Sequence, residues 1–240
     1  MITLIIPAYN EEKIIGETID VVYTFLKDMG EDFELTVVDD GSTDSTKKIV
    51  KSLCGRYPKL RIISNKTNRG RGYSLSRALS QSNGEIQVYI DADLTIGIDL
   101  IPELVNSIRN GADIAIASKH MGESEVEYPI VRRFFSKGYA ALSRFILRIP
   151  IRDCQCGLKA FRKEFISQIL QEIHCEGWGW DTEIVAKSCW RRYNIVELPA
   201  KITNMSANSS KVNLFRDVKA MTRTLIRLWI EKNLTGRYET

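Results

Sequence analysis

Val88-Tyr89-Ile90-Asp91-Ala92-Asp93-Leu94 is an apolar, β-forming run that ends in two carboxylates one residue apart. In an extended chain, residues i and i+2 point the same way. That spacing lets Asp91 and Asp93 converge on one cation at the carboxyl end of a buried strand. Hard oxygen ligands suit Mg²⁺ or Mn²⁺ rather than zinc, and a metal with few protein carboxylates takes its other ligands from substrate phosphates. A turn or helix cap is the other reading, because Asp is common just after strands.

Two more strand ends carry similar chemistry. Ile2-Thr-Leu-Ile-Ile6 runs into Pro7-Ala8-Tyr9-Asn10-Glu11-Glu12, and Glu34-Leu-Thr-Val-Val38 runs into Asp39-Asp40-Gly41-Ser42-Thr43-Asp44. Each apolar run is followed by turn residues and then a helical period. The pattern predicts strands near 2–6, 34–38, 60–64, 86–90 and 113–117, with helices near 12–28, 43–54, 71–82 and 99–109. Such alternation makes an α/β fold with a mostly parallel sheet. Ligands of open α/β sheets bind outside the carboxyl ends of the strands. The three acid-bearing ends therefore read as one nucleotide pocket, in which carboxylates serve base, ribose or a bridging metal.

Composition fits a catalytic domain. A chain of 240 residues allows one α/β domain over 1–240, with a nucleotide half (1–118), an acceptor half (119–210) and an amphipathic helix (211–232). No apolar run reaches about 18 residues, so no transmembrane helix is expected, and no signal peptide is visible. The odd set of Cys54, Cys154, Cys156, Cys175 and Cys189 lacks zinc-knuckle spacing and reads as reduced cytosolic thiols.

Charge is unevenly spread. The chain is +4 overall, but residues 129–163 hold nine Lys/Arg against Asp153 alone, so this segment is +8 and the rest −4. Within it Phe135, Tyr139, Leu142, Ile146 and Ile149 recur at helical spacing, with Arg133, Lys137, Arg144 and Arg148 on another face. Residues 211–232 repeat the theme: Leu214, Phe215, Val218, Met221, Leu225, Leu228 and Trp229 against Arg216, Lys219, Arg223 and Arg227. Basic amphipathic helices lie on anionic bilayers; alternatively each apolar stripe packs on the core. Nucleic acid fits less well as a partner and none is expected, because the basic helices hold few aromatics arranged for stacking, no nucleic-acid-binding signature appears and acids crowd the pocket.

The ordered set Pro7-Ala-Tyr-Asn-Glu11, Val38-Asp-Asp-Gly-Ser42, Asn68-Arg-Gly70-Arg-Gly72 and Asp91-Ala-Asp-Leu94 resembles glycosyltransferase family 2. Arg133 with Ser136, Asp153-Cys-Gln-Cys-Gly157-Leu-Lys159-Ala-Phe161-Arg162, Trp180-Asp181-Thr-Glu183 and Ser209-Ser210-Lys211 narrow the likeness to the polyprenyl-phosphate sugar synthases. That subgroup includes the dolichyl-phosphate mannose synthases and glucosyltransferases, and the Trp-Asp-Thr-Glu element is closer to the latter. The resemblance implies a GT-A fold, meaning a Rossmann-like sheet flanked by helices, here with a C-terminal amphipathic helix. It also implies inverting transfer of a monosaccharide from a nucleotide-sugar, UDP favoured over GDP, to dolichyl or polyprenyl phosphate. It would put the protein peripherally on the cytoplasmic face of a membrane, with or without a membrane partner subunit. A soluble-acceptor transferase, a nucleotidyltransferase and a non-catalytic membrane-surface module are the rival readings.

On this resemblance Pro7, Ala8, Tyr9, Glu11, Val38, Asp39, Arg71, Asp91, Ala92, Lys119 and Lys211 line the substrate site. Asp91 and Asp93 hold Mg²⁺ or Mn²⁺, and Asp93, Arg133, Asp181 and Glu183 serve the chemistry. Thr95 stands where the mannose synthases have a metal-binding Gln. A phosphate monoester with a second pKa near ~6 is largely ionised at neutral pH and needs charge compensation rather than a strong base. Arg133 and Lys211 are the expected source of that compensation.

Overall fold

A computed structural model describes residues 1–122, 124, 130–200, 214–234 and 238, with the backbone alone at 130–135 and 214–219. The strands are β1 (Ile2–Ala8), β2 (Phe33–Asp39), β3 (Leu60–Ser64), β4 (Ile86–Ile90), β5 (Ile114–Ser118), β6 (Leu158–Arg162) and β7 (Ile195–Pro199). They form one sheet in the order β3-β2-β1-β4-β6-β5-β7. All neighbours are parallel except β6, which runs antiparallel to both β4 and β5. Ile-Gln-Val-Tyr-Ile of β4 and Ile-Ala-Ile-Ala-Ser of β5 are buried at every position. Near-continuous apolar runs of this kind belong to strands covered on both faces.

The covering helices are α1 (Ile15–Asp28), α2 (Thr46–Cys54), α3 (Arg71–Ser80), α4 (Ile101–Arg109), α5 (Ile130–Leu147), α6 (Lys163–Ile169), α7 (Trp180–Trp190) and α8 (Leu214–Leu234). In α1 the buried set Ile15, Thr18, Ile19, Val22 and Leu26 follows the 3.6-residue period. The expected elements of the first half are all present; the helices are shorter than expected, β1 and β2 run longer, and β5 is shifted by one residue. Helix α1 begins at Ile15 rather than near residue 12, because residues 10–12 are bonded to the loop after β2. The helix after residue 130 stops at Leu147 rather than at 149, because Arg148 adopts φ 51°. Among the described residues no helix is long and apolar enough to cross a membrane.

Chain direction across the sheet creates the crevice. From β1 the chain steps outward to β2 and β3, then returns to place β4 on the other side of β1. This reversal is the topological switch point at which α/β proteins bind ligands. Strand β1 pairs with β4 only through Ile5, whereas its pairing with β2 continues to Ala8 and Asp39. Beyond Ile5 the ends of β1 and β4 therefore part. Pro7, which cannot donate to a ladder, sits where no β4 partner needs its nitrogen.

The two basic helices do not divide as the sequence pattern suggests. On α8, Leu225 and Leu228 pack on the core as expected, but Trp229, assigned to the same stripe, is exposed beside Ile226 and Ile230. On α5, Leu142 is exposed together with Phe145, while Ser143 and Leu147 are buried. Arg227, assigned to the solvated basic face, is half-buried and reaches Glu183 at 2.8 Å.

Candidate active site

The loops after β1 and β2 are stitched together by side chains their sequences supply. Asn10, held at φ 55°, donates its N–H to Ser42 Oγ at 2.9 Å and accepts the Thr43 N–H on Oδ1 at 2.8 Å. Glu11 N–H reaches Thr46 Oγ1 at 2.7 Å, and Glu12 exchanges contacts with Asp44 and Ser45. Pro7 and Ala8 stand beside Val38 and Asp39, Glu11 is tied to Thr46, and Tyr9 is left exposed at the end of β1. Asp39 Oδ1 accepts the Ser42 N–H at 3.1 Å. Its Oδ2 is buried and has no partner among the described residues. A buried polar atom left unpaired costs on the order of 1–3 kcal/mol, so this oxygen is the strongest sign of a ligand donor in the crevice.

Asp40 has a different task. Oδ1 accepts Asn65 Nδ2 at 2.8 Å and the Arg69 N–H at 2.9 Å, and Oδ2 accepts the Gly70 N–H at 2.8 Å. It anchors the loop that delivers Arg71 to the start of α3. Gly70, at φ 102°, lies so close to the 176 carbonyl that an added Cβ would sit 2.5 Å from it. The spacing of the Asn68-Arg-Gly-Arg-Gly72 loop is thus a packing requirement as well as a turn.

The acidic pair at the end of β4 is held differently from the expected i, i+2 pleat. The strand ends at Ile90, and a turn closed by the Leu94 N–H on Asp91 O at 3.1 Å carries both carboxylates. Leu94 completes it at φ 47°. Asp93 Oδ1 caps this turn through the Thr95 N–H at 3.0 Å, while its Oδ2 has no partner among the described residues. Asp91, whose side chain is 39% exposed, accepts Arg71 Nε at 3.2 Å and a terminal guanidinium nitrogen at 2.7 Å on Oδ1. Arg71, expected to line the substrate site, instead turns inward and also pairs with Asp181 at 2.5 Å.

Behind Asp91 lies a buried ion network. Lys159, the second residue of β6, donates to Asp181 Oδ1 at 2.6 Å, Tyr89 Oη at 2.9 Å and the Cys156 carbonyl at 2.7 Å. Tyr89 also donates to Asp181. Burial acts to raise the Asp181 carboxyl, but Lys159 and Arg71 outweigh it and hold the group below its ordinary value. Burial raises the Asp91 carboxyl, with Arg71 opposing. Burial, then Asp181, pushes the Tyr89 hydroxyl well up, so it stays a donor. Lys159, Tyr89 and Asp40 are absent from the sequence-predicted set. A lysine inside the apolar run Leu158-Lys-Ala-Phe161 was the available signal for the first.

The remaining expected residues separate. Ala92 lies in the turn, and its carbonyl accepts Thr18 Oγ1 at 2.7 Å. Lys119 follows β5, so β6 stands between it and the acidic turn; its N–H bonds Asp153 at 3.0 Å and its Nζ lies 3.8 Å from the same carboxylate. Glu183 is not brought to the crevice. It is fully buried, accepts the His174 and Cys175 N–H groups at 3.1 and 2.7 Å, and contacts Lys187 and Arg227. Trp180 is core, with Nε1 donating to Ser76 Oγ at 2.7 Å. The Arg133 side chain and Lys211 lie outside the described residues.

A divalent cation fits this donor set. Among the described residues no three His, Cys, Asp or Glu side chains gather as a cage. A metal here would rest on Asp93, with Asp91 beside it, and depend on phosphate oxygens for the rest, as Mg²⁺ and Mn²⁺ do.

Residues 3–170 match the family described as Glycosyl transferase family 2. Glycosyltransferase AglD of Haloferax volcanii is 31% identical over 98% of this chain, which spans 38% of that protein. Dolichyl-phosphate beta-glucosyltransferase ALG5A of Trichomonas vaginalis is 29% identical over 88% of this chain and 68% of its own length. The fold is shared with glucosyl-3-phosphoglycerate synthase of Mycobacterium tuberculosis in complex with UDP, at TM-score 0.68 and 22% identity, over 97% of this chain and 79% of that one. With its mostly parallel sheet, its acidic turn at the switch point and this match over most of its length, the chain belongs to glycosyltransferase family 2.

Proposed function

We propose that this protein moves a monosaccharide, glucose by preference, from a UDP-sugar to dolichyl or another polyprenyl phosphate with inversion, at the cytoplasmic face of a membrane. The observation that carries the donor half is the row of acids at the ends of β2 and β4. Asp39 Oδ2 is buried and unpaired, and Asp93 Oδ2 is without a described partner, on either side of the end of β1. One oxygen suits a donor N–H or O–H of base or ribose, and the other suits a divalent cation. The same synthase fold was crystallised with Mn²⁺ and UDP-glucose. The likeness to the Trichomonas dolichyl-phosphate beta-glucosyltransferase supports the acceptor class and the sugar.

The residues divide the work as follows. Asp93 holds the cation, Mg²⁺ or Mn²⁺, which when bound screens the charge growing on the departing nucleoside diphosphate. Asp91 and Arg71 fix the turn that aims Asp93. Tyr9 offers a face for the base, with Pro7, Ala8, Glu11 and Val38 shaping its pocket. Lys119, on the far side of β6, adds positive charge toward the acceptor half. Arg133 and Lys211 compensate the acceptor phosphate. Both Asp181 oxygens already accept from Lys159, Tyr89 and Arg71, so Asp181 serves as the anchor of Arg71 rather than as a base. A phosphate acceptor, ionised at neutral pH with its second pKa near ~6, matches a site built this way.

The test is incubation with labelled UDP-glucose, UDP-N-acetylglucosamine and GDP-mannose, each with dolichyl phosphate. Label from UDP-glucose entering the organic phase supports the reading. Label retained in a soluble saccharide, or pyrophosphate release, would replace it with a soluble-acceptor transferase or a nucleotidyltransferase.

A further inference from the structure

Among the described residues the exposed large hydrophobic side chains are Met1, Tyr9 and Val21, and then a group on two helices: Leu142 and Phe145 on α5, and Ile226, Trp229, Ile230 and Leu234 on α8. On α8 the four recur at i, i+3, i+4 and i+8, a single helical face, while Thr224, Leu225 and Leu228 fill the opposite one. On α5 Phe145, 84% exposed, points away from the side that buries Ser143 and Leu147. The two helices pack together, and Lys232 Nζ of α8 donates to the Leu147 carbonyl of α5 at 2.8 Å. Each helix thus has an apolar face inside and a second one outside. Apolar patches of this kind mark interaction sites.

The charge around them chooses the partner. Arg144, Arg148 and Arg223 are exposed beside these side chains. Residues 130–152 contain no Asp or Glu. From residue 219 to 234 the one acid is Glu231, and it is turned to Lys187 Nζ at 2.9 Å. A second copy of the same face would bring arginines against arginines. A nucleic acid would match the charge but not Phe145, Ile226 or Leu234. A phospholipid surface matches both, taking phosphate at the arginines and acyl chains at the aromatic and aliphatic tips.

We propose that the outward faces of α5 and α8 together form a docking surface for an anionic bilayer, with Phe145 and Trp229 as its inserting residues. This deepens the lipid-acceptor reading but stands on its own observations. It also reassigns the membrane-facing set. Leu225, Leu228 and Arg227 face the protein, and Leu142, Phe145, Ile226, Trp229, Ile230 and Leu234 face outward.

The full chain is sedimented with vesicles of phosphatidylcholine alone and of phosphatidylcholine mixed with phosphatidylglycerol, at low and at high salt. Binding is expected to the mixed vesicles and to weaken with salt. Arg144→Gln, Arg148→Gln and Arg223→Gln combined should lower the partition coefficient about 100-fold, the product of three surface charges. Leu142→Ser with Phe145→Ser, and separately Trp229→Ser with Ile230→Ser, should each lower it by about tenfold or more. Lipid should blue-shift the tryptophan emission, and Trp229→Phe should remove that shift while still binding. Equal binding by all variants, or a concentration-dependent dimer that Phe145→Ser dissociates, would overturn the proposal. Transfer to a short, water-soluble isoprenyl phosphate should be unchanged in these variants. If the unmodified protein binds vesicles but glycosylates no phosphate, the acceptor reading fails while the docking surface stands.

Discussion

Asp93 and Gly157 are the two positions at which single substitutions test the proposed chemistry most sharply. If Asp93 carries the cation, Asp93→Ala should remove most turnover, at least about 100-fold, because the leaving-group charge loses its counter-ion. A chelator should do the same to the unmodified protein; full activity in EDTA would contradict the assignment. Gly157 offers a finer probe. It immediately precedes β6, and a Cβ there would lie 1.8 Å from Asp91 Oδ2. The obstructed atom is the end of a side chain rather than backbone, so the fold should survive while Asp91 is pushed from Arg71. Gly157→Ala is expected to cut turnover by about tenfold or more with little change in melting temperature. Equal loss of stability and activity would mean that Gly157 serves packing alone. The pairing of Lys159 with Asp181 predicts a stability effect of another size. Lys159→Met leaves a buried carboxylate short of a partner and should cost about 3–5 kcal/mol, much of it restored by adding Asp181→Asn. Because the folded Asp181 carboxyl lies below its unfolded value of about 3.9, its stabilisation is complete above that pH. It is lost as pH falls through the folded value. Acid unfolding should therefore be shallower in Asp181→Asn than in the unmodified protein, and identical acid limbs would refute the pairing.

Elements were more legible in the sequence than the contacts that join them. Strands β1 to β5 are readable because both sheet faces are covered, so each is a run such as Ile114-Ala-Ile-Ala-Ser118 between turn residues. Strand β6 and its antiparallel insertion between β4 and β5 were not readable, since the short run Leu158-Lys-Ala-Phe161 does not say which neighbour it joins. The acidic turn was recognised, but its geometry was not. Asp91 finds Arg71 20 residues away, and Arg71 finds Asp181 110 residues away, distances that no local pattern encodes. Helices α5 and α8 were found by periodicity, and their orientation was misjudged because each is apolar on two sides. Glu183 makes the same point. Its place in the Trp-Asp-Thr-Glu segment suggested chemistry, yet it ties α7 to α8 through Arg227, while Lys187 reaches Glu231. Glu183→Ala should therefore loosen α8 first. Faster proteolysis or amide exchange in 220–234, at little cost in nucleotide binding, is the expected result; loss of nucleotide affinity with α8 intact would return Glu183 to the crevice.

At the scale of the whole molecule, one sheet separates two tasks. The ends of β2, β1 and β4 carry the acids proposed for donor and metal, and the outward faces of α5 and α8 carry the positive and apolar surface proposed for the lipid. The buried Arg71–Asp181–Lys159 network lies between them and ties α3, α7 and β6 to the acidic turn. This division accounts for a chain that is only +4 yet holds +8 in residues 129–163. The central claim is that the nucleophile is a lipid phosphate and that the sugar is inverted on transfer. Phosphorus and proton NMR of the product made from UDP-glucose and dolichyl phosphate measures both. The account predicts that the monoester phosphorus signal is replaced by that of a phosphodiester bearing a β-linked glucose. A monoester signal left unchanged while UDP accumulates, or an α-linked product, would contradict it.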